Sequence, residues 1–163
     1  MHVRHQATWR APPVGSVKIH VDAAVGRHGD RGAFAAICRD DSRNFLEASA
    51  VSVADLCLQE ILEAMATNEA LALARDLACT NIVVASDCLN TVNHLKSDYL
   101  GASKAIIYEL RRSMQDFASA EILHQLRVSN LEAHLLAKAV ISLPFGGHVW
   151  LAVKPDFIFF VDA

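Results

Sequence analysis

VKIHVDAAVGRHGDRGAFAAICRDDSRNFLEASAVSV, residues 17–53, is the stretch that decides the fold. It opens on strict alternation, with Val17, Ile19 and Val21 set against Lys18, His20 and Asp22. Successive strand side chains point to opposite faces, so Val17–Asp22 predicts a strand with one face to a core. Gly26–Arg31 reads as a turn of two glycines and polar residues, Gly32–Arg39 as a second strand, and Asp-Asp-Ser at 40–42 as a second turn. Phe45–Val53 reads as a third strand. Successive strands joined by short polar turns predict an antiparallel meander.

Beyond residue 53 the period changes. Leu58 to Leu77 is rich in Leu, Ala, Met and Glu, with Leu58, Leu62, Met65 and Ala66 recurring at three and four, which predicts a long helix. Asn81–Ser86 is a short apolar run that reads as a buried strand, closed by Asp87. Cys88–Lys96 and Lys104–Phe117 read as helices and Ala120–Leu126 as a fifth strand. Asn130–Ile141 reads as a last helix with Leu131, Leu135 and Leu136 on its apolar side. The order βββαβα(α)βα predicts an α/β (mixed α+β) domain: a five-stranded mixed sheet, its first three strands antiparallel, flanked by helices. Residues 1–16 read as a leader, extended at Ala-Pro-Pro (11–13), residues 17–141 as the domain, and 142–163 as an apolar tail. In that tail Val149-Trp150-Leu151 and Phe157-Ile-Phe-Phe-Val161 either pack back on the domain or offer a surface to a second copy or another protein.

Composition narrows the class. The chain has 163 residues, 53% hydrophobic and 20% charged, with only 7 Gly and 4 Pro. That suits one domain able to bury its own core, and it argues against disorder. No window approaches the roughly 18 uninterrupted apolar residues of a membrane span. The opening MHVRHQATWR has basic residues but no apolar run behind them, so no signal peptide is expected. Cys38, Cys57, Cys79 and Cys88 stand singly, without CxxC or Cys/His ligand spacing, which reads as reduced thiols of an intracellular protein, cytoplasmic or nuclear. With 15 Lys and Arg against 18 Asp and Glu the formal charge is −3, so any grip on a polyanion is local or weak.

Three carboxylates stand at places where chemistry is done. Asp22 is on the first strand, Glu63 in the first turns of the long helix, and Asp87 at the end of the fourth strand. Each has a bland reading; Asp87 could simply cap the helix that follows. Together they suggest a hard-cation site, because Mg²⁺ takes oxygen ligands and a pair of such ions can clamp an in-line phosphoryl displacement.

The motifs also carry a resemblance. Trp9-Arg-Ala-Pro-Pro13 followed by Val17-Lys-Ile-His-Val-Asp22 is similar to a W-x-P-P…V-K-x-N-V-D opening, and Glu63-Ala-Met-Ala66 with Ala70-Leu-Ala-Leu-Ala74 to an E-A-x-A…A-L-x-L-A helix. Val83-Val-Ala-Ser-Asp87 resembles a V-x-x-E-S-D strand end, and Arg127-Val-Ser-Asn130-Leu-Glu-Ala-His134-Leu-Leu-Ala-Lys138 an R-x-x-N-x-x-A-[DH]-x-L-A-K segment. Trp150-Leu-Ala-Val-Lys-Pro155 resembles a closing W-L-x-x-x-P. In this order they resemble the plant branch of the ribonuclease H-like domains, related to the RNase H portion of retroelement reverse transcriptases, over almost the whole chain.

The resemblance implies a divalent-metal endonuclease cutting the RNA strand of RNA–DNA hybrids, with Asp22, Glu63 and Asp87 holding two Mg²⁺ or Mn²⁺ ions. His134 falls on the family's fourth metal position, usually aspartate in the bacterial enzymes. Imidazole is the softer ligand and favours Mn²⁺. Gln59, Arg127 and Asn130 are the candidate contacts to nucleic acid. The basic loop of the bacterial enzymes is missing, since Asn93–Lys104 offers only Lys96 and Lys104 against Asp98. That absence, the charge and the aromatic tail keep a second reading open: a catalytically degenerate, retroelement-derived module that binds nucleic acid or a protein.

Overall fold

The computed structural model describes residues 9–56, 58–97 and 101–155. The meander forms as expected: β1 (Val17–Val25), β2 (Arg31–Arg39) and β3 (Phe45–Ala54) pair antiparallel in succession. Helix α1 (Gln59–Asp76) follows, then β4 (Asn81–Ser86), α2 (Leu89–Lys96), α3 (Lys104–Met114) and β5 (Ser119–His124). A single 3-10 turn, Arg127–Ser129, leads into α4 (Leu131–Val140) and a last strand β6 (Gly146–Leu151). The sheet order is β5-β4-β1-β2-β3-β6, with β4 parallel to both β1 and β5.

The sheet therefore has six strands rather than five. The extra one lies in the region read as a tail: β6 pairs antiparallel with β3, setting Trp150 opposite Ala48 and His148 opposite Ala50. Trp150 packs on the α4 side of the sheet, while Val149 and Leu151 are exposed. Phe157–Val161 lies outside the described residues. No helix among the described residues is long and apolar enough to cross a membrane.

Two layers of helix close the sheet. On one face α1 and α3 bury Leu62, Leu71, Leu73, Ile107 and Leu110 against Ile19, Val21, Phe34, Ile82 and Val84. Gly32 is required here, since a Cβ on it would lie 2.2 Å from the carbonyl oxygen of Leu56 and 2.8 Å from Leu62 Cδ1. On the other face α4 sets Leu136, Ala137 and Val140 on Ala33, Ala35, Ala48 and Ala50, small residues that let a helix lie close to the strands.

β1 is central, so its second face is buried as well. Lys18, His20 and Asp22, read from the alternation as the outer face, are 2%, 8% and 0% exposed. Lys18 Nζ donates to the carbonyl of Arg10 at 2.7 Å beneath the Trp9 ring, and burial lowers its pKa to about 8. Arg111 donates to the carbonyls of His94 and Leu95 and ties α3 to the end of α2.

Candidate active site

The site is a product of register. β1 and β4 run parallel with Val21 opposite Ser86, so the next residues, Asp22 and Asp87, come side by side where the parallel pair ends. Crevices beyond the carboxyl ends of parallel strands are where such sheets bind ligands. Helix α1 starts at the same end and brings Glu63 in from the opposite face. One carboxylate oxygen from each of Asp22, Glu63 and Asp87 lies within 4.8 Å of the others. Asp87 does not cap α2: the N-cap residue is Cys88, whose N–H is accepted by Ser86 Oγ at 3.1 Å.

The three carboxylates are held differently. Gln59 Nε2 donates to Glu63 Oε1 at 2.9 Å, one helical turn away, so its amide is turned onto the carboxylate. His134 Nδ1–H donates to Asp22 Oδ2 at 2.8 Å. Arg127 Nε donates to Asp87 Oδ2 at 3.0 Å. Two oxygens, Asp22 Oδ1 and Glu63 Oε2, are buried without a hydrogen-bond partner. Buried carboxylate oxygens with nothing to accept from are costly, and a cation is the partner their chemistry calls for.

Electrostatics agree. Burial, and then the negative charge of Asp22 close by, pushes the Glu63 pKa up to about 8. Burial and the neighbouring charge of Asp87 raise Asp22 also, against the opposing pull of the Ala23 N–H and His134. Like charges crowded in a low dielectric resist ionising together unless a cation joins them. The donor set, three carboxylates and no sulfur, fits Mg²⁺ or Mn²⁺.

Not all the candidate residues meet in this cleft. Glu63, Asp87, His134, Gln59 and Arg127 line a groove of about 670 Å³, joined by His124 and Lys138. Asn130 does not line it. Expected to touch nucleic acid, it is 1% exposed and turns both ends of its amide inward. Nδ2 donates to the carbonyl of Val21 at 2.7 Å, and Oδ1 accepts from His20 Nδ1 at 2.9 Å. Burial pushes the His20 pKa down to about 4, leaving a neutral ring for that bond. Asn130 thus anchors the start of α4 to β1 and aims His134, one turn on, at Asp22. His134 reaches the cleft, but its Nδ1 is committed to Asp22, and it is not among the oxygens that converge within 4.8 Å. The sequence pattern does not single out Lys138, although its place four residues after His134 puts both on one helical face. His124, at the end of β5, reads as a strand residue, yet the strand ends at the cleft.

This fold and this cluster define a ribonuclease H-like domain. Residues 20–140 match the family model described as Reverse transcriptase-like, and the chain belongs to that family. Among solved structures it is similar to RNase H1 from the halophilic archaeon Halobacterium salinarum, at 17% identity and a TM-score of 0.71, covering 77% of this chain and 97% of that one. It is equally similar to the N-terminal RNase H domain of a Mycobacterium tuberculosis protein (15% identity, TM-score 0.71, 77% and 93% covered). An RNase H1 isolated from compost by a metagenomic approach, solved in complex with an RNA/DNA hybrid, matches at 14% identity and TM-score 0.69 over 77% and 96%. No curated protein sequence matches significantly.

Proposed function

We propose that this protein is a divalent-metal-dependent endonuclease of the RNase H type, which hydrolyses the RNA strand of RNA–DNA hybrids slowly. The observation that carries the reading is the convergence of three carboxylates from β1, α1 and the end of β4, two of them with buried, unpartnered oxygens. Asp22, Glu63 and Asp87 would hold Mg²⁺ or Mn²⁺; a bound pair of such ions supplies an activated water and stabilisation of the leaving 3′ oxygen. Gln59 keeps Glu63 aimed into the cleft and His134 does the same for Asp22. With Nδ1 so used, Nε2 is the nitrogen His134 has left to offer a metal. Lys138 and Arg127 are the cations placed to meet phosphate.

Slowness follows from charge. At −3, and without a basic loop, the domain grips few phosphates. Every phosphate left without a cation flattens the log–log salt dependence of hybrid affinity by about 0.9. One observation favours a second reading, a module that binds nucleic acid without cutting it: Asp87 is already neutralised by Arg127.

A hybrid labelled on its RNA strand, incubated with Mg²⁺ or Mn²⁺, tests this. Slow RNA cleavage is expected, faster in Mn²⁺, with His134→Asp moving the preference toward Mg²⁺ because oxygen suits the harder ion. Hybrid binding with no cleavage in either metal would replace the enzyme by the binding module.

A further inference from the structure

Arg127 answers Asp87 in an unequal pairing. The Asp87 side chain is 8% exposed, whereas that of Arg127 is 63% exposed and stands on the single 3-10 turn between β5 and α4. The pair joins residues 40 apart in the chain, and Arg127 lies on the rim of the same cleft that holds Glu63 and His134. Lys138 lines that cleft too, without an ion pair to the carboxylates among the described residues. A guanidinium that reaches mostly into water is rehydrated easily when it lets go, and exposed ion pairs are weakly held.

We propose that Arg127 is a displaceable resident cation: a divalent ion arriving at Asp87 drives the guanidinium off Oδ2 and frees it for a phosphate oxygen of the nucleic acid. The inference rests on the reading of Asp22, Glu63 and Asp87 as a metal centre, and adds to it an order of events. A carboxylate shared between a guanidinium and a divalent ion brings two cations close together, and they repel. The divalent ion has two further carboxylates to hold it; among the described residues the guanidinium donates to Asp87 and feels the other two carboxylates only through their charge. Once released, the planar fork of an arginine suits phosphate better than a lysine does. Binding energies are reciprocal, so metal should then raise affinity for the nucleic-acid backbone, and nucleic acid should raise affinity for metal. Without metal, Arg127 is spent on Asp87 and the charge of the cleft is partly balanced from within.

The test uses the full chain and Mg²⁺ alone, followed by NMR. The Arg127 Nε–H signal is assigned by its loss in Arg127→Gln, and Mg²⁺ affinity is read from backbone amides around Asp22 and Asp87. On saturation the Nε–H signal should move to that of a solvated arginine, and Arg127→Gln should bind Mg²⁺ about two- to fivefold more tightly, the range for losing one exposed competing ion pair. Lys138→Met, which removes a cleft cation without a carboxylate bond, should gain less. An Nε–H signal unmoved at saturating Mg²⁺ would overturn displacement and leave the metal centre standing. Equal gains in the two variants would reduce Arg127 to a distant charge and also overturn it. If neither wild type nor Arg127→Gln binds Mg²⁺, the metal centre fails and the displacement with it.

Discussion

The two faces of the sheet are built from different materials. Against α1 and α3 the interface is aliphatic and aromatic: Ile19, Val21, Phe34, Leu62, Leu71, Ile82, Ile107 and Leu110. Against α4 it is mostly alanine, and beside those alanines β1 buries Lys18, His20 and Asp22, with Asn130 facing them from α4. The first face is held by non-directional burial, which tolerates exchange of one apolar residue for another of similar volume. On the second, each polar group must find its own partner, and most do, through the Arg10 carbonyl, the Val21 carbonyl and His134. Asp22 Oδ1 is left without one, as is Oε2 of Glu63, which reaches the same carboxylate cluster from the α1 side. An apolar face stores stability, and carboxylate oxygens left unsatisfied where three acids converge mark where a ligand belongs.

The sharpest way to separate the faces is Asp22→Asn. Hybrid cleavage should vanish, since an amide cannot supply the charge that holds metal, while the metal-free protein unfolds at the same or a higher temperature because a buried charge has gone. A loss of stability without metal would mean that Asp22 supports the fold rather than the site. Leu62→Ala, on the apolar face, should do the reverse: about 2–5 kcal/mol of stability lost in urea unfolding. Cleavage per folded molecule should stay close to wild type. Asn130→Ala lies between the two. It leaves the Val21 carbonyl and the His20 ring without their partner, at about 1–3 kcal/mol. It should also loosen His134 and slow cleavage, so an unchanged rate would show that His134 needs no such anchor.

The remaining effect is a pH dependence. A carboxyl whose folded pKa of about 8 exceeds its ordinary 4.5 favours folding below pH 4.5, and that contribution is lost as pH climbs through 8. Thermal unfolding without metal should therefore fall across this window more in wild type than in Glu63→Gln. Added Mg²⁺ should reverse the fall, because metal takes the deprotonated form and releases protons. Identical profiles for the two proteins would place the raised group elsewhere.

The apolar face is far more legible in the sequence than the polar one. Period two in β1 and period three-to-four in α1 are local signals of burial, and they return the meander, the long helix and the element order. Strand β6 is not legible. Its Gly146-Gly147 start carries no alternation, and its pairing partner, β3, lies about a hundred residues earlier. Lys18 and His20 read as solvent-facing because what covers them, the Trp9–Pro13 segment and α4, is tertiary. Asn130 stands in a motif beside Arg127 and groups with it by sequence, yet a single turn of chain separates an exposed cation from a buried anchor. Spacing alone leaves Asp87 between cap and ligand; the β1–β4 register decides its neighbours, and the oxygens around it explain why the motifs resemble those of a nuclease family.

The central claim is that Asp22, Glu63 and Asp87 form one metal centre, and the most direct measurement is anomalous diffraction from a crystal of this protein soaked in Mn²⁺ near pH 8. A Mn²⁺ peak bonded to oxygens of all three carboxylates is expected, with Asp22 Oδ1 and Glu63 Oε2 among its ligands. A structure at saturating Mn²⁺ with no peak there, or with one held elsewhere on the surface, would contradict it.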